Sequence, residues 1–252
     1  MKTFPYAAMR AVKVLTASLL VLAPLPAGAI VGGAPVEGDV AAQTVLLVST
    51  RGASCSGTVV ASDLVLTAAH CVQPEADYAI ALLGQGTPRL IPVLRIAVHP
   101  DFNAAQFRTR HPTPDLALVK LAEPLPAGFR PARVARDGLP PRGREFTLAG
   151  FGMSADGAEK TAGKLRAVTV ASIGTTGGIM VRLSGPAGSA GACTGDSGGP
   201  AFQDGKLAGV IGWATGANGA RGCGGVTGVT LVGLFGEWLF PTARTLGSPI
   251  RE

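Results

Sequence analysis

The chain has no apolar run of membrane-spanning length. Its most hydrophobic stretch, Val14 to Leu25, is too short for a span, and Pro24 and Pro26 interrupt its end. It has no Cys-x-x-Cys or His-x-x-x-His pair, so the close ligand spacing of a structural zinc site is missing. No Lys/Arg-rich run, repeat of fixed short period or low-complexity tract occurs. The formal charge of +6 overstates how basic the chain is, because three of the 22 Lys and Arg (Lys2, Arg10, Lys13) precede Ala29 in a segment without acids. Beyond Ala29, the remaining 19 basic residues face 16 Asp and Glu, which is no electrostatic footprint for nucleic acid. With 36 glycines and 19 prolines, long helices are disfavoured and turns are abundant.

What the chain does have begins at its N-terminus. The basic residues, the short apolar run and the small residues Ala27-Gly28-Ala29 describe a secretory signal peptide over residues 1–29, cut after Ala29. That cut leaves residues 30–252, 223 in number, a length suited to one large all-β unit or two small barrels. Short β-rich runs follow at Thr44–Thr50, Gly57–Ala61, Leu64–Thr67, Tyr78–Leu83, Leu90–Val98, Leu116–Leu121, Phe146–Ala149, Lys164–Ala171, Lys206–Trp213 and Val226–Val232. The proline-rich stretch Glu123 to Arg144 reads as a linker between halves. Leu234 to Phe240 reads as a closing helix that Pro241 ends. Four cysteines, Cys55, Cys71, Cys193 and Cys223, in an exported chain indicate two disulfides, for which three connectivities exist.

The chemistry concentrates in Gly195-Asp196-Ser197-Gly198-Gly199-Pro200. A serine among glycines sits on backbone free to make tight turns, with N–H groups able to converge beside its hydroxyl. The hydroxyl becomes a nucleophile only when a base takes its proton. Of three histidines, His99 and His111 each precede proline and read as loop or surface residues. His70 ends the apolar run Leu64-Val65-Leu66-Thr67 within Thr67-Ala68-Ala69-His70-Cys71. Asp115, before Leu116-Ala117-Leu118, supplies a carboxylate to orient an imidazole, and Ile30-Val31-Gly32-Gly33 stands upstream.

These motifs, in this order, resemble those of the chymotrypsin/trypsin family of serine endopeptidases, from Ile30 to the C-terminus. The order His, Asp, Ser differs from that of subtilisins and α/β-hydrolases. The resemblance implies an all-β fold of two packed antiparallel β-barrels with a short C-terminal helix. Residues 30–128 would form the N-terminal barrel and 129–252 the C-terminal barrel and helix, together one peptidase domain. It implies a catalytic triad of His70, Asp115 and Ser197, and an oxyanion hole from the N–H groups of Gly195 and Ser197. Asp196 would form a latch with the amine freed at Ile30. The specificity pocket would comprise Gly191, Trp213, Ala214 and Gly228. Disulfides Cys55–Cys71 and Cys193–Cys223 are implied as well, with no cofactor and no metal.

Trypsin-like members carry aspartate where this chain has Gly191, so the expected specificity is for apolar or aromatic residues. Gly212 stands where relatives usually have serine, and the loop from Trp213 to Cys223 is longer than usual. The implied protein is a secreted or periplasmic monomer acting on polypeptides and open to protein protease inhibitors. It would bind no nucleic acid and keep no membrane insertion after signal cleavage. The alternatives are a narrowly selective processing protease or esterase, or a non-catalytic homologue acting as a binding protein.

Overall fold

The computed structural model describes Met1, residues 30–84 and residues 86–251. The signal segment, Met1 apart, lies outside the described residues. The chain begins with β1 (Ala34–Pro35) and α1 (Gly38–Gln43), then β2 (Thr44–Ser49), β3 (Ser54–Ala61), β4 (Leu64–Thr67) and α2 (Ala69–Val72). It continues through β5 (Tyr78–Leu82), β6 (Arg89–Val98), α3 (Ala104–Arg108) and β7 (Ala117–Leu121). The second half holds β8 (Glu145–Gly150), β9 (Arg166–Thr176), β10 (Met180–Ser184), β11 (Pro200–Gln203), β12 (Lys206–Ala214), β13 (Val226–Leu231) and α4 (Gly236–Thr245).

Strands β2-β3-β4-β7-β6-β5 close into one antiparallel barrel. Strands β9-β10-β13-β12-β11-β8 close into another through the β8–β9 pairing, with β1 added at its edge on β9. Residues 122–144, the proline-rich stretch, join the two. Strand β4 shows why the sequence lacks clean alternation: all four of its residues are buried. Val65 fills the first barrel with Val45, Val59, Ile80, Ile91 and Val119, while Leu64 and Leu66 face out into a second cluster with Leu116, Leu118, Phe202 and Val210. A strand covered on both faces is apolar throughout.

The chain's ends exchange partners. Ile30, fully buried, belongs to the core of the second barrel with Phe146, Leu148, Val181 and Leu183. Helix α4 returns to the first barrel, burying Leu239, Ala243 and Leu246 beside Leu64 and Leu116. These three residues fall on one helical face at spacings of four and three. Pro241 lies inside α4 and does not end it, contrary to the sequence expectation. The lost backbone bond is outweighed by burial on both sides of it. Three strands escaped the sequence reading, the two-residue β1 among them. β11 opens on Pro200, which is tolerated only at a strand's start or edge, and β10 carries exposed Arg182 at its centre.

His99, read from sequence as a loop or surface residue, is 6% exposed at the joint between β6 and the C-terminal segment. Its ring meets Phe235 edge-on at 5.0 Å and Trp238 at 4.9 Å, and its Nδ1 accepts from the Asp101 N–H at 3.2 Å. Burial lowers its pKa below the ordinary value, against a smaller opposing pull from Asp101. A histidine with a depressed folded pKa takes up its proton more readily when unfolded. Stability is therefore lost as pH falls through the unfolded value of about 6.5 towards the folded one. Urea unfolding at pH 7.5 and pH 5.0 should show a smaller acid-side loss in His99→Gln than in the wild type. Equal losses would remove His99 as the cause.

Candidate active site

The pairing of β4 with β7 brings His70 and Asp115 together. Thr67 lies opposite Ala117, so His70, three residues past Thr67, meets Asp115, two residues before Ala117. His70 Nδ1 stands 2.7 Å from Asp115 Oδ2, and the His70 backbone N–H donates to Asp115 Oδ1 at 2.9 Å. Two bonds from one residue fix the carboxylate, which is only 2% exposed. A carboxylate there selects the tautomer with a proton on Nδ1 and leaves Nε2 as the acceptor. Gly212 contributes no hydroxyl to this acid. A Cβ built on it would sit 3.4 Å from Asp115 Oδ2.

Ser197 comes from the other barrel. Its Oγ donates to the Gly212 carbonyl at 3.3 Å, and among the described residues it makes no hydrogen bond to His70. Both line one cleft of about 340 Å³, with Arg51, Tyr78, Thr194, Gly195, Ala214 and both disulfides. The disulfides join Cys55 to Cys71 and Cys193 to Cys223, beside His70 and Ser197 respectively.

The turn carrying Ser197 is held by the first barrel through Ser56, a fully buried residue of β3 that the sequence reading passed over. The Ser56 N–H donates to the Ser197 carbonyl at 2.8 Å, and its hydroxyl donates to the Gly195 carbonyl at 2.9 Å. The same hydroxyl accepts from the Phe151 N–H at 3.0 Å. Such closeness requires glycine on the turn. At Gly198 (φ +81°) a Cβ would lie 2.1 Å from Thr67 Oγ1, and at Gly195 (φ +96°) 2.8 Å from the Gly152 Cα. The Gly195 and Ser197 N–H groups donate to nothing among the described residues, whereas those of Asp196, Gly198 and Gly199 are all engaged.

Asp196 is completely buried. It accepts from the Gly152 N–H and the Cys193 N–H, both at 2.8 Å. Desolvation pushes its pKa up to about 7 despite these two bonds. Next to Ile30, Val31 exchanges two backbone bonds with Gly191, at 3.0 and 3.1 Å.

The residues expected to form the pocket separate. Gly191 lies with its Cα facing Thr227, whose Oγ1 would be 2.8 Å from an added Cβ and accepts from the Ala192 N–H. Ala214 pairs with Thr227 and Trp213 with Gly228. Gly228 lies beneath the indole of Trp213, where an added Cβ would meet Cε2 at 2.1 Å, so it seats that ring. Thr227 and Gly225 are nearer to Gly191, and sequence reasoning had named neither. Phe107, also missed, stacks on His70 with centroids 4.2 Å apart and rings inclined by 15°. Among the described residues, the only triad of potential metal ligands, Cys55, His70 and Cys71, has both sulfurs committed to a disulfide.

Removing the Ser56 hydroxyl would strand the Gly195 carbonyl and the Phe151 N–H in a buried site. Ser56→Ala should lower stability by about 2 kcal/mol in urea unfolding. A loss below about 0.5 kcal/mol would show that the hydroxyl is not holding the turn.

Comparison with known proteins gives the family and the fold. Residues 30–235 match the family model Trypsin. The chain is 34% identical over 187 residues to a vitellin-degrading protease of Bombyx mori, covering 66% of this chain and 69% of that one. It is 26% identical over 181 residues to trypsin of Sus scrofa, covering 64% and 74% respectively. The solved structure of neuropsin, a serine protease expressed in mouse brain, superposes with a TM-score of 0.69 at 24% identity. The match covers 84% of this chain and 99% of neuropsin, a likeness of fold. The chain belongs to the trypsin family of serine proteases.

Proposed function

We propose that the protein is a secreted or periplasmic serine endopeptidase that cleaves polypeptides through an acyl-enzyme intermediate, with residues 30–252 as one peptidase domain. The observation that carries this reading is the 2.7 Å pair between His70 Nδ1 and buried Asp115, in one cleft with Ser197. The Ser197 Oγ–H turns from the Gly212 carbonyl to His70 Nε2, which takes its proton as Oγ attacks the scissile carbonyl carbon. The resulting oxyanion falls to the uncommitted Gly195 and Ser197 N–H groups. His70, now protonated and stabilised by Asp115, returns the proton to the departing amine. Water then repeats the sequence on the acyl ester and frees Ser197.

Gly191 faces the Thr227 hydroxyl and the backbone of Gly224 and Gly225, and brings no carboxylate of its own where trypsin-like members carry aspartate. A buried lysine or arginine would there lack a counter-charge, so the reading is for apolar or aromatic side chains before the scissile bond. Polypeptide substrates and protein protease inhibitors are the partners this cleft suits. The test combines a serine-directed covalent probe with a peptide library. The wild type should be labelled at Ser197 and cleave after Phe, Tyr, Leu or Met. Ser197→Ala and His70→Ala should lose nearly all turnover while folding normally, keeping only the ~10³–10⁴-fold acceleration over water that such mutants retain. Normal peptide cleavage by Ser197→Ala would refute the mechanism, and a profile led by Arg or Lys would refute the pocket.

Cleavage between Ala29 and Ile30 would turn a neutral amide into a cation, the proposed partner of Asp196. In the uncut chain, the raised pKa of Asp196 means that the folded state holds its proton longer than the unfolded one. That stabilising contribution is complete below the ordinary carboxylate value of 3.8 and is lost as pH rises through about 7. The melting temperature of the full uncut chain should therefore fall between pH 4 and pH 7 by more than that of its Asp196→Asn variant. After the cut, the amine gains a partner and its pKa rises above the free value of about 7.7–8.0. The latch then fails only at alkaline pH. Identical pH profiles for the uncut wild type and Asp196→Asn would show that Asp196 is not the titrating group.

A further inference from the structure

The segment between β6 and β7 meets both His70 and Trp213, and its backbone is fixed at both ends. Asn103 caps α3, its Oδ1 accepting from the N–H groups of Ala105 at 2.9 Å and Gln106 at 3.1 Å. The Asn103 N–H donates to Thr113 Oγ1 at 2.8 Å. At the other end the Arg110 N–H donates to the Phe107 carbonyl and the His111 N–H to the Gln106 carbonyl, both at 2.9 Å. This is a Schellman cap with Arg110 in the left-handed position, at φ +58°. Glycine is the usual residue there. Of the residue types that tolerate the left-handed region best, arginine is not one. Pro112 then packs on Gly177 of the second barrel, where an added Cβ would lie 2.3 Å away.

This strained position directs a cation. The Arg110 guanidinium lies over the Trp213 ring, 5.9 Å from its centroid, within cation–π range. Three residues earlier, Phe107 stacks on His70. Among the described residues Arg110 forms no ion pair, although Arg89, Arg130 and Arg144 each have a carboxylate partner. An exposed guanidinium, unpaired among the described residues, is thus held over Trp213 by the same loop whose Phe107 stacks on His70.

We propose that Arg110 is a specificity-determining residue that selects substrates with an acidic side chain two to four residues before the scissile bond. The proposal rests on the endopeptidase reading above. A carboxylate arriving over Trp213 meets a donor already oriented by its cap and its ring contact, so little ordering remains at binding. The position keeps arginine at a conformational cost that glycine would avoid, in keeping with strain held at functional positions.

The test uses the mature enzyme, titrated with the serine-directed probe so that rates refer to active sites. Peptides share one apolar residue before the scissile bond and carry Glu or Lys singly at the second, third or fourth position. In the wild type, kcat/KM for Glu should exceed that for Lys by about three- to tenfold at one or more of these positions. The ratio should shrink as salt rises. It should fall to near one in Arg110→Gly, whose melting temperature should equal or exceed that of the wild type. Arg110→Glu should invert the ratio and Arg110→Lys should largely keep it. Should Arg110→Gly melt lower, its lost ratio would reflect a collapsed loop, and the sign of the ratio in Arg110→Glu then decides. A wild-type ratio within twofold of one at all three positions overturns the proposal, as does a preference that Arg110→Glu leaves unchanged. Failure of the endopeptidase reading has a different signature: no peptide is cleaved and the probe does not label Ser197.

Discussion

The arrangement depends on Ser56. A site shared between two barrels is only as well defined as the contact between them, and here buried hydrogen bonds beside the serine turn add to the apolar packing of Leu64 and Leu66 on Phe202 and Val210. Ser56 holds the Ser197 carbonyl with its N–H and the Gly195 carbonyl with its hydroxyl, while its own carbonyl accepts from Thr67 Oγ1 at 2.8 Å. The glycine at 198 follows from this contact, since an added Cβ would strike Thr67 and Ser56, whereas at Gly195 and Gly199 the nearest atoms are those of Gly152 and Ala149 in the second barrel. In a buried seam each such bond matters most through the cost of leaving its partner unmet.

The general architecture was legible in the sequence because each signal was local. Strand β4 followed by His70, Asp115 ahead of β7, and the glycine-rich serine turn all announce themselves over a few residues. What stayed hidden depends on contacts between distant segments. Ser56 is an ordinary strand serine until the second barrel closes on it. His99 precedes a proline and looks exposed, but it is buried because α4 brings Trp238 against it. Pro241 argued for a helix end, and the burial of Leu239, Ala243 and Leu246 prevailed. Gly228 and Thr227 are one residue apart and sit on opposite sides of the strand. Any register error there exchanges the seat of Trp213 for the surroundings of Gly191.

The residues in left-handed backbone make a similar point about function. Asp204 and Asn218 belong to the types that accept this conformation, and they occupy ordinary turns. Ile30, Ala187 and Arg110 do not belong to them, and of these three only Arg110 sets a charged side chain over an aromatic ring. Its cap would form as well around glycine, so the arginine is explained by its side chain and not by its backbone. The loop that carries it also carries Phe107, so one short segment meets both the imidazole of the first barrel and the indole of the second.

The two barrels divide the labour between what is permanent and what cleavage can change. His70 and Asp115 both belong to the first barrel, paired through β4 and β7, and neither touches the N-terminal segment. Asp196, Gly191 and the turn carrying Ser197 belong to the second, where Ile30 is buried and Val31 bonds Gly191. Ile30 and Val31 thus tie the N-terminal segment to the barrel that carries Asp196, Gly191 and Ser197, whereas His70 and Asp115 are brought together by strand pairing in the other.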